Sequence, residues 1–275
     1  VQAPLPFEDP QSEAPPLRVV VLGSGSGGNA VVLESGSARV LVDAGFSCRE
    51  LERRMKRVGF DPKSLTDLLL THEHEDHVRG VARFASRNGV RVWATRGTLA
   101  GCELPPDVVA RVEILESGRK VEVGGFEVEP FQIPHDAREP VGFVLEDGAG
   151  RRFGLVADLG CRSRLAWGRL RDLDLLVLET NHDLEMLRSG PYPWALKQRV
   201  AGRHGHLSNA DAGDGLPELL GDRLRWVVLY HLSRINNTAA LAAATVGDVL
   251  DRAGAGAGVV VSDQFEPTPW LEVNP

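Results

Sequence analysis

The stretch "LLLTHEHEDHVRG", residues 68–80, sets three histidines and three carboxylates in six consecutive positions behind three leucines and a threonine. By length and composition "LTDLLLT" reads as a buried strand, and "HVRGVARFASRNG" as a helix closed by Asn88-Gly89. The titratable groups then lie on a loop at the C-terminal end of a strand, where α/β sites gather. Their spacing is HxHxDH: His72, His74, Asp76 and His77. Imidazole and carboxylate together suit Zn²⁺ or Mn²⁺. Alternate residues diverge in direction, so four neighbours cannot all surround one ion. Two adjacent ions, each taking two of these groups, fit better. A lone histidine would more simply be a hydrogen-bonded core or surface residue; a full HxHxDH run is not explained that way. Glu73 and Glu75 read as outward-facing spacers.

Outward from this stretch the chain alternates strand and helix. "LRVVVLG", "AVVLES" and "ARVLVDAG" are β-branched runs broken by Gly and Ser, and "CRELERRMKRVG" carries Leu51, Met55 and Val58 at helical spacing. Beyond "VRVWAT" come "KVEVGGFEVEPFQI", "PVGFVLEDGAGRRFGLVAD" and "LDLLVLET", with hairpin signals at Gly124-Gly125 and Asp147-Gly148. A helix (210–220), a strand ("RWVVLYH"), a helix ("TAALAAATVGDVLDRAG") and a strand ("GVVVSDQ") follow. The expected fold class is α/β (α+β): two similar halves packed sheet against sheet with helices outside. One domain over residues 17–275 is expected, behind a Pro-rich, acidic, disordered lead-in over 1–16.

Composition narrows the classes. The 275 residues are 43% hydrophobic, enough for a sizeable core, and no apolar run approaches the roughly 20 residues of a membrane span. No secretory signal is evident. Cys48, Cys102 and Cys161 form no CxxC pair, so neither a disulfide framework nor a thiolate site is expected, and the cytoplasm is the expected compartment. The net charge of −7 argues against a whole-surface nucleic-acid binder. Basic residues nevertheless cluster: Arg49, Arg53, Arg54, Lys56 and Arg57 in one helix, Arg79, Arg83, Arg87 and Arg91 in and after the next. They are either solvated helix faces or a positive rim that steers a phosphate polymer.

"GSGSGG", residues 23–28, satisfies GxGxxG, and Asp43 stands about 20 residues on. A dinucleotide loop needs a helix to open at the glycines and hold the pyrophosphate. The following "NAVVLESGSARVLVDAG" reads as strand, turn and strand, so the dinucleotide reading is rejected. A tight turn at the sheet edge, with a secondary chance of backbone N–H groups facing a phosphate, remains.

The HxHxDH run, with "VLVDAG", "IPHDA", "LVADLG" and "VVLYHLS", resembles the metallo-β-lactamase fold superfamily over residues 17–265, and so implies a four-layer αββα sandwich. The resemblance implies that His72, His74 and His135 hold one divalent ion. It implies that Asp76, His77 and His231 hold the other, with Asp158 bridging and Asp43 orienting a ligand. Five of the eight histidines are used. Two ions about 3.5–4 Å apart hold a bridging hydroxide as nucleophile, so the implied reaction is hydrolysis.

The bond is argued from other residues. "LETNHDLEMLRSGPYPWALKQRVAGRHGHLSNADA", together with "GSGSGGNA", "VDAGFSC", "HDAREPVGF" and "HLSRINNT", is similar to the YycJ/WalJ-like branch, which is associated with DNA exonuclease activity. Similarity to the tRNase Z type implies that Glu179 orients His206, which protonates the leaving oxygen of a phosphodiester. Asp76, Glu179 and His206 are thus the expected catalytic groups. His182, Ser208, Asn209, Ser233 and Asn236 are the expected substrate contacts. Simpler readings stand beside them: a local turn contact for His182, helix capping for Ser208, Asn209 and Asn237, and a surface position for His204. The expected activity is a two-metal (Zn²⁺ or Mn²⁺) 5′-to-3′ exonuclease on single-stranded DNA, with no membrane partner. The alternative is a small-molecule hydrolase for a cyclic nucleotide, thioester or lactone, which needs a closed pocket rather than a basic groove. A non-catalytic protein on the same fold would need degraded ligands, and none is missing.

Overall fold

The computed structural model describes residues 14–274, so most of the expected disordered lead-in lies outside the described residues. The first half runs β1 (Leu17–Gly23), β2 (Ala30–Ser35), β3 (Ala38–Val42), α1 (Cys48–Arg57), β4 (Asp67–Leu69), α2 (Glu75–Val78), α3 (Val81–Asn88), β5 (Arg91–Ala94), α4 (Arg96–Ala100), α5 (Pro106–Val109) and β6 (Val112–Ile114). The second runs β7 (Val121–Val123), β8 (Phe126–Gln132), β9 (Val141–Glu146), β10 (Arg152–Val156), α6 (Arg164–Arg169), β11 (Leu175–Glu179), α7 (Leu184–Ser189), α8 (Trp194–Val200), α9 (Asn209–Gly215), β12 (Trp226–Tyr230), α10 (Ala239–Ala253) and β13 (Gly258–Val261). The last strand, β14 (Leu271–Val273), returns to the first sheet.

Two seven-stranded mixed sheets result, ordered β14-β1-β2-β3-β4-β5-β6 and β13-β12-β11-β10-β9-β8-β7. Strand alternation builds the layers. In β1, Val19 and Val21 join Phe126, Phe143 and Phe153 in a core between the sheets, whereas Val20 and Leu22 face Leu51 and Met55 of α1 and Phe84 of α3. The second sheet shows its other face to Trp167 of α6, Ala212 of α9 and Val246 of α10. Strands buried on both faces read as continuous apolar runs, which is why "LRVVVLG" and "LLVLE" lack polar alternation. The order of layers is helix, sheet, sheet, helix.

Local chemistry sets the boundaries. Ser47 caps α1 by accepting from Glu50 N–H, and Gly59, at φ 75°, turns the chain away from the helix end. The single helix expected over 77–89 is two: α2 and α3 break at Gly80, where a Cβ would lie 2.1 Å from the Phe46 carbonyl oxygen. The helix expected over 210–220 ends earlier, passing into a short 3₁₀ turn at Leu216–Glu218. Asn237 does not cap α10. Thr238 does, while the Asn237 amide donates to the Thr180 and Asn181 carbonyls. No helix among the described residues is long and apolar enough to cross a membrane.

One edge of the two sheets matters for chemistry. Strands β3 and β4 run parallel, as do β10, β11 and β12, and β8 shares the direction of β10 because both are antiparallel to β9. Asp43, Thr71-His72, His135, Asp158, Glu179 and His231 stand at or just past the C-terminal ends of these six strands.

Candidate metal centre

The loop after β4 turns sharply into α2 and carries His72, His74, Asp76 and His77 to this edge. It is braced from below. Asp43 Oδ1 accepts from Thr71 N–H at 2.8 Å, while its Oδ2 meets Thr71 Oγ1 at 2.8 Å and His77 Nδ1 at 2.7 Å. To reach these partners Asp43 takes φ 58°, a left-handed conformation that aspartate tolerates better than most residues. Gly45 permits the close approach of the loop, since a Cβ there would lie 1.7 Å from the Asp76 carbonyl oxygen.

Three overlapping groups converge: His72, His74, His135 and Asp158; Asp76, His77 and His231; and Asp158, Glu179, His206 and His231. Within each, the candidate donor atoms lie within 4.8 Å of one another. The buried Asp158 carboxylate is common to the first and third groups. Its Oδ2 lies 3.1 Å from His72 Nε2 and 3.0 Å from His77 Nε2, and its Oδ1 lies 2.8 Å from His231 Nδ1. Asp76 Oδ2 is 3.3 Å from His231 Nε2, and His74 Nδ1 is 3.3 Å from His135 Nε2.

The residues fit divalent cations on an observation internal to the cluster. His72 Nε2 and Asp158 Oδ1 are fully buried, yet neither has a hydrogen-bond partner, because the short approaches around them are not aligned for hydrogen bonding. Buried polar atoms left so cost stability, whereas imidazole and carboxylate atoms gathered around a common centre are what a metal ion requires.

Charge follows the same geometry. Burial pushes the His72 imidazole down to about 3, and His77 beside it adds to this. Burial acts likewise on His77 but is overcome by Asp43, Asp158 and Asp76, which raise it to about 10. Burial opposes ionisation of Asp158, yet His231 and His77 hold it well below the usual carboxylate range. The carboxylates thus hold protons on neighbouring imidazoles where a dication would take their place.

Beside this cluster Glu179, wholly buried at the end of β11, places Oε1 2.7 Å from His206 Nδ1, while its Oε2 accepts from the N–H groups of Leu159 and Leu207. Burial would lower the His206 pKa, but Glu179 and Asp158 raise it to about 9. The side chains of His206 and Asp76 keep 23% and 20% of their surface exposed, against 5% or less for His72, His77, His135, Asp158 and His231. The open side of the cluster is therefore lined by His206, Asp76 and the half-buried His74. A cavity of about 500 Å³ opens next to His135, walled by Gln132, Arg138, Ser163, Leu165 and His204.

The expected substrate contacts divide. Ser208 Oγ accepts from Asp211 N–H as the cap of α9, and the Asn209 and Asn237 side chains bond each other reciprocally at 2.9 Å. Both Ser208 and Asn209 are buried; Ser208 caps α9, whereas Asn209, expected as a cap, is the first residue of the helix and turns its side chain to Asn237. His182 and Asn236 are also buried, and the polar atoms of both side chains lack hydrogen-bond partners among the described residues. Ser233 is half-buried, its Oγ accepting from the N–H groups of Ile235 and Asn236. Glu73 is not a spacer: its Oε1 accepts from Arg138 N–H at 2.9 Å, whereas Glu75 is exposed and pairs with Arg79.

The braces leave no mark in the sequence. Asn29 Nδ2 reaches the Asp76 carbonyl and His77 Nε2, Ser24 Oγ accepts from His231 N–H, and Asn181 Nδ2 donates to the His231 carbonyl. The glycines at 23–28 make the β1–β2 turn that carries Asn29 under the metal loop, with Gly25 and Gly28 at φ 122° and 150°. A strand follows them, where a dinucleotide loop would open a helix. Six of the nine clustered basic residues (Arg53, Arg54, Arg57, Arg79, Arg87 and Arg91) are ion-paired, which favours solvated helix faces over a steering rim.

Known proteins are similar to this chain in sequence and fold. The beta-lactamase superfamily domain matches residues 38–231. The exodeoxyribonuclease WalJ of Streptococcus pneumoniae is 36% identical over 245 residues, spanning 87% of this chain and 90% of that protein. The exodeoxyribonuclease YycJ of Bacillus anthracis is 34% identical over 88% of this chain and 92% of its own length. Among solved structures, the metallo-beta-lactamase fold protein YhfI of Bacillus subtilis superposes with a TM-score of 0.69 at 16% identity, covering 94% of this chain and all of that one, a likeness of fold alone.

Proposed function

The chain belongs to the metallo-β-lactamase fold superfamily, in its WalJ/YycJ branch, and from that premise we propose that it is a two-metal phosphodiesterase trimming single-stranded DNA from the 5′ end. His72, His74, His135 and Asp158 would hold one divalent cation, and Asp76, His77, His231 and the shared Asp158 a second. When bound, such ions, Zn²⁺ or Mn²⁺, supply an activated water and neutralise charge on the phosphoryl group.

The observation that carries the reading is the Glu179–His206 pair at 2.7 Å, placed on the open side of the cluster. Metal ligands alone would serve many hydrolyses. A half-exposed imidazole held by a buried carboxylate adds a proton donor aimed at a leaving oxygen. Glu179 fixes the ring through Nδ1, leaving Nε2 to face substrate. In 5′ trimming His206 gives its proton to the 3′ oxygen of the departing nucleotide, releasing a 5′-mononucleotide and a strand shortened by one residue. The cavity beside His135 is of a size for a single nucleotide, within the 300–1,000 Å³ usual for small-ligand sites.

End-labelled strands test the proposal. With Mn²⁺ or Zn²⁺, a 5′-labelled single strand should yield labelled mononucleotide from the first time point, and a 3′-labelled one a ladder of shortening products. Internal fragments appearing first would instead mean endonuclease action, and an inert strand beside a hydrolysed cyclic nucleotide or thioester would favour the small-molecule alternative.

A further inference from the structure

Between Glu179 and His206 the chain leaves the site as an excursion, residues 183–205, built of α7, the turn "GPYP" and α8. Both ends are tied down, one of them directly to the cluster. On one side Asp183 N–H donates to the Asn236 carbonyl, and the His182 carbonyl accepts from Asn209 N–H. On the other, the Gly205 carbonyl lies 3.1 Å from His135 Nδ1, and the His204 carbonyl accepts from Asp136 N–H. Pro191 and Pro193 stiffen the turn, and Lys197 Nζ ties the helices together through the Arg188 carbonyl at 2.6 Å.

The outer surface of this excursion joins a large exposed ring to positive charge beside the cluster. Trp194, at the start of α8, is 71% exposed, the highest value among the exposed large apolar residues described. Leu184 of α7 is 47% exposed. Residues 183–205 carry four basic side chains (Arg188, Lys197, Arg199, Arg203) against two acidic ones (Asp183, Glu185), a net +2 within a chain of net −7. Arg199 pairs with Asp136 and Arg188 with Glu185, but neither Lys197 nor Arg203 meets a carboxylate within 4.0 Å among the described residues. Trp194 stands six residues from Val200, about 9 Å along the helix at 1.5 Å per residue.

An exposed indole is no site by itself, since single surface apolar residues are ordinary. Here it is joined to unneutralised cations on an element anchored beside His135 and His206. Flat π-face and scattered positive charge together match a chain of bases and phosphates, and the sign of the charge selects a polyanion. We propose that α7 and α8 form a strand clamp, in which Trp194 stacks on a base of single-stranded DNA and Lys197 and Arg203 meet its phosphates. The clamp rests on the phosphodiesterase reading and deepens it: it grips the strand flanking the nucleotide at the metal centre.

The test uses the full metal-loaded chain and a fluorescein-labelled (dT)20 with phosphorothioate linkages to resist cleavage, binding being read by anisotropy. Trp194→Ala should weaken binding about 10-fold, in line with the loss of one stacked base. Replacing Lys197 and Arg203 together by Ala should reduce the slope of log affinity against log salt by about 1.4, at roughly 0.7 per phosphate contact. For Trp194→Ala, the ratio of kcat/KM on unmodified (dT)20 to that on bis(p-nitrophenyl) phosphate should fall by a similar factor. Variants that bind as tightly as the unaltered chain, a parent chain that binds no strand, or a tighter Trp194-dependent grip on (rU)20 would each overturn the assignment. Trp194-dependent binding by a chain that cleaves neither strand nor diester would leave the clamp standing and remove the phosphodiesterase reading instead.

Discussion

His206 and Glu179 illustrate what two side chains gain from their placement. Glu179 spends one carboxylate oxygen on two backbone N–H groups and so cannot rotate; the other is left for the imidazole. A ring fixed this way presents one nitrogen to the open side without searching other rotamers. His206→Ala should slow strand cleavage by about 10²–10⁴-fold, the usual scale of general acid–base catalysis, while metal content stays that of the parent chain. Rate assays paired with elemental analysis check this, and parallel loss of rate and metal would reassign His206 to the metal shell. At this scale the sequence was legible where chemistry is concentrated: HxHxDH and the later His135, Asp158 and His231 all lie at the converging edge. Asn29, Ser24, Thr71 and Asn181 were not legible, because a buried Asn or Ser bonding to a loop carbonyl carries no periodic or compositional mark. The mutual bonding of Asn209 and Asn237 was likewise hidden, since it pairs residues 28 positions apart.

Helix α1 shows how an element is locked to its sheet. Arg54 is buried, its Nη1 donates to the Leu22 carbonyl of β1, its Nε to Glu50, and its guanidinium stacks 4.0 Å above the Phe46 ring centroid. Hydrogen bonding from Arg53, joined by Arg54 and opposed by burial, draws the Glu50 carboxyl down to about 2. Because the folded pKa is depressed, the stabilisation is present above the unfolded value near 4.5 and is lost as pH falls toward 2. Glu50→Gln should therefore cost about 2 kcal/mol at pH 7, less than for a fully buried pair because solvent reaches Glu50. Urea titrations should show that cost shrinking as pH falls through the window from 4.5 to 2, and a difference independent of pH would contradict the assignment. Elements with strong patterns were legible, α1 and the strands above all. Short ones such as α4, α5, α7 and β14 were not, since three to six residues hold less than two turns of helical period or two of strand alternation. Gly80 broke the expected long helix for a tertiary reason, the Phe46 carbonyl, which no local pattern records.

Over the whole molecule, the centre is a seam. Asp43, His72, His74, Asp76 and His77 come from the half built on β1 to β6, and His135, Asp158, Glu179 and His231 from the other. An ion bound there joins both sheets at one edge, so binding energy is also folding energy. At a free-metal concentration 100-fold above Kd, the linkage contributes about 2.7 kcal/mol per ion, about 5.4 kcal/mol for two. Chelation should accordingly lower Tm by about 10–20 °C in a scan with and without EDTA, given about 2–4 °C per kcal/mol for domains of this size. An unchanged Tm would mean that the cluster does not hold metal in the folded chain. The two-sheet architecture was legible because strands buried on both faces leave long apolar runs, whereas which strand ends would meet across the seam depends on sheet order, which periodicity does not encode.

In the proposed function the five histidines and two aspartates form a two-ion centre that does chemistry on phosphodiesters. The decisive experiment titrates metal-depleted protein with Mn²⁺ while following cleavage of a 5′-phosphorylated single strand. Activity should be absent at the start, rise with loading and saturate at two ions per chain, and His74→Ala should fail to recover it at any loading. Full activity in the chelated protein, or in His74→Ala, would contradict the claim.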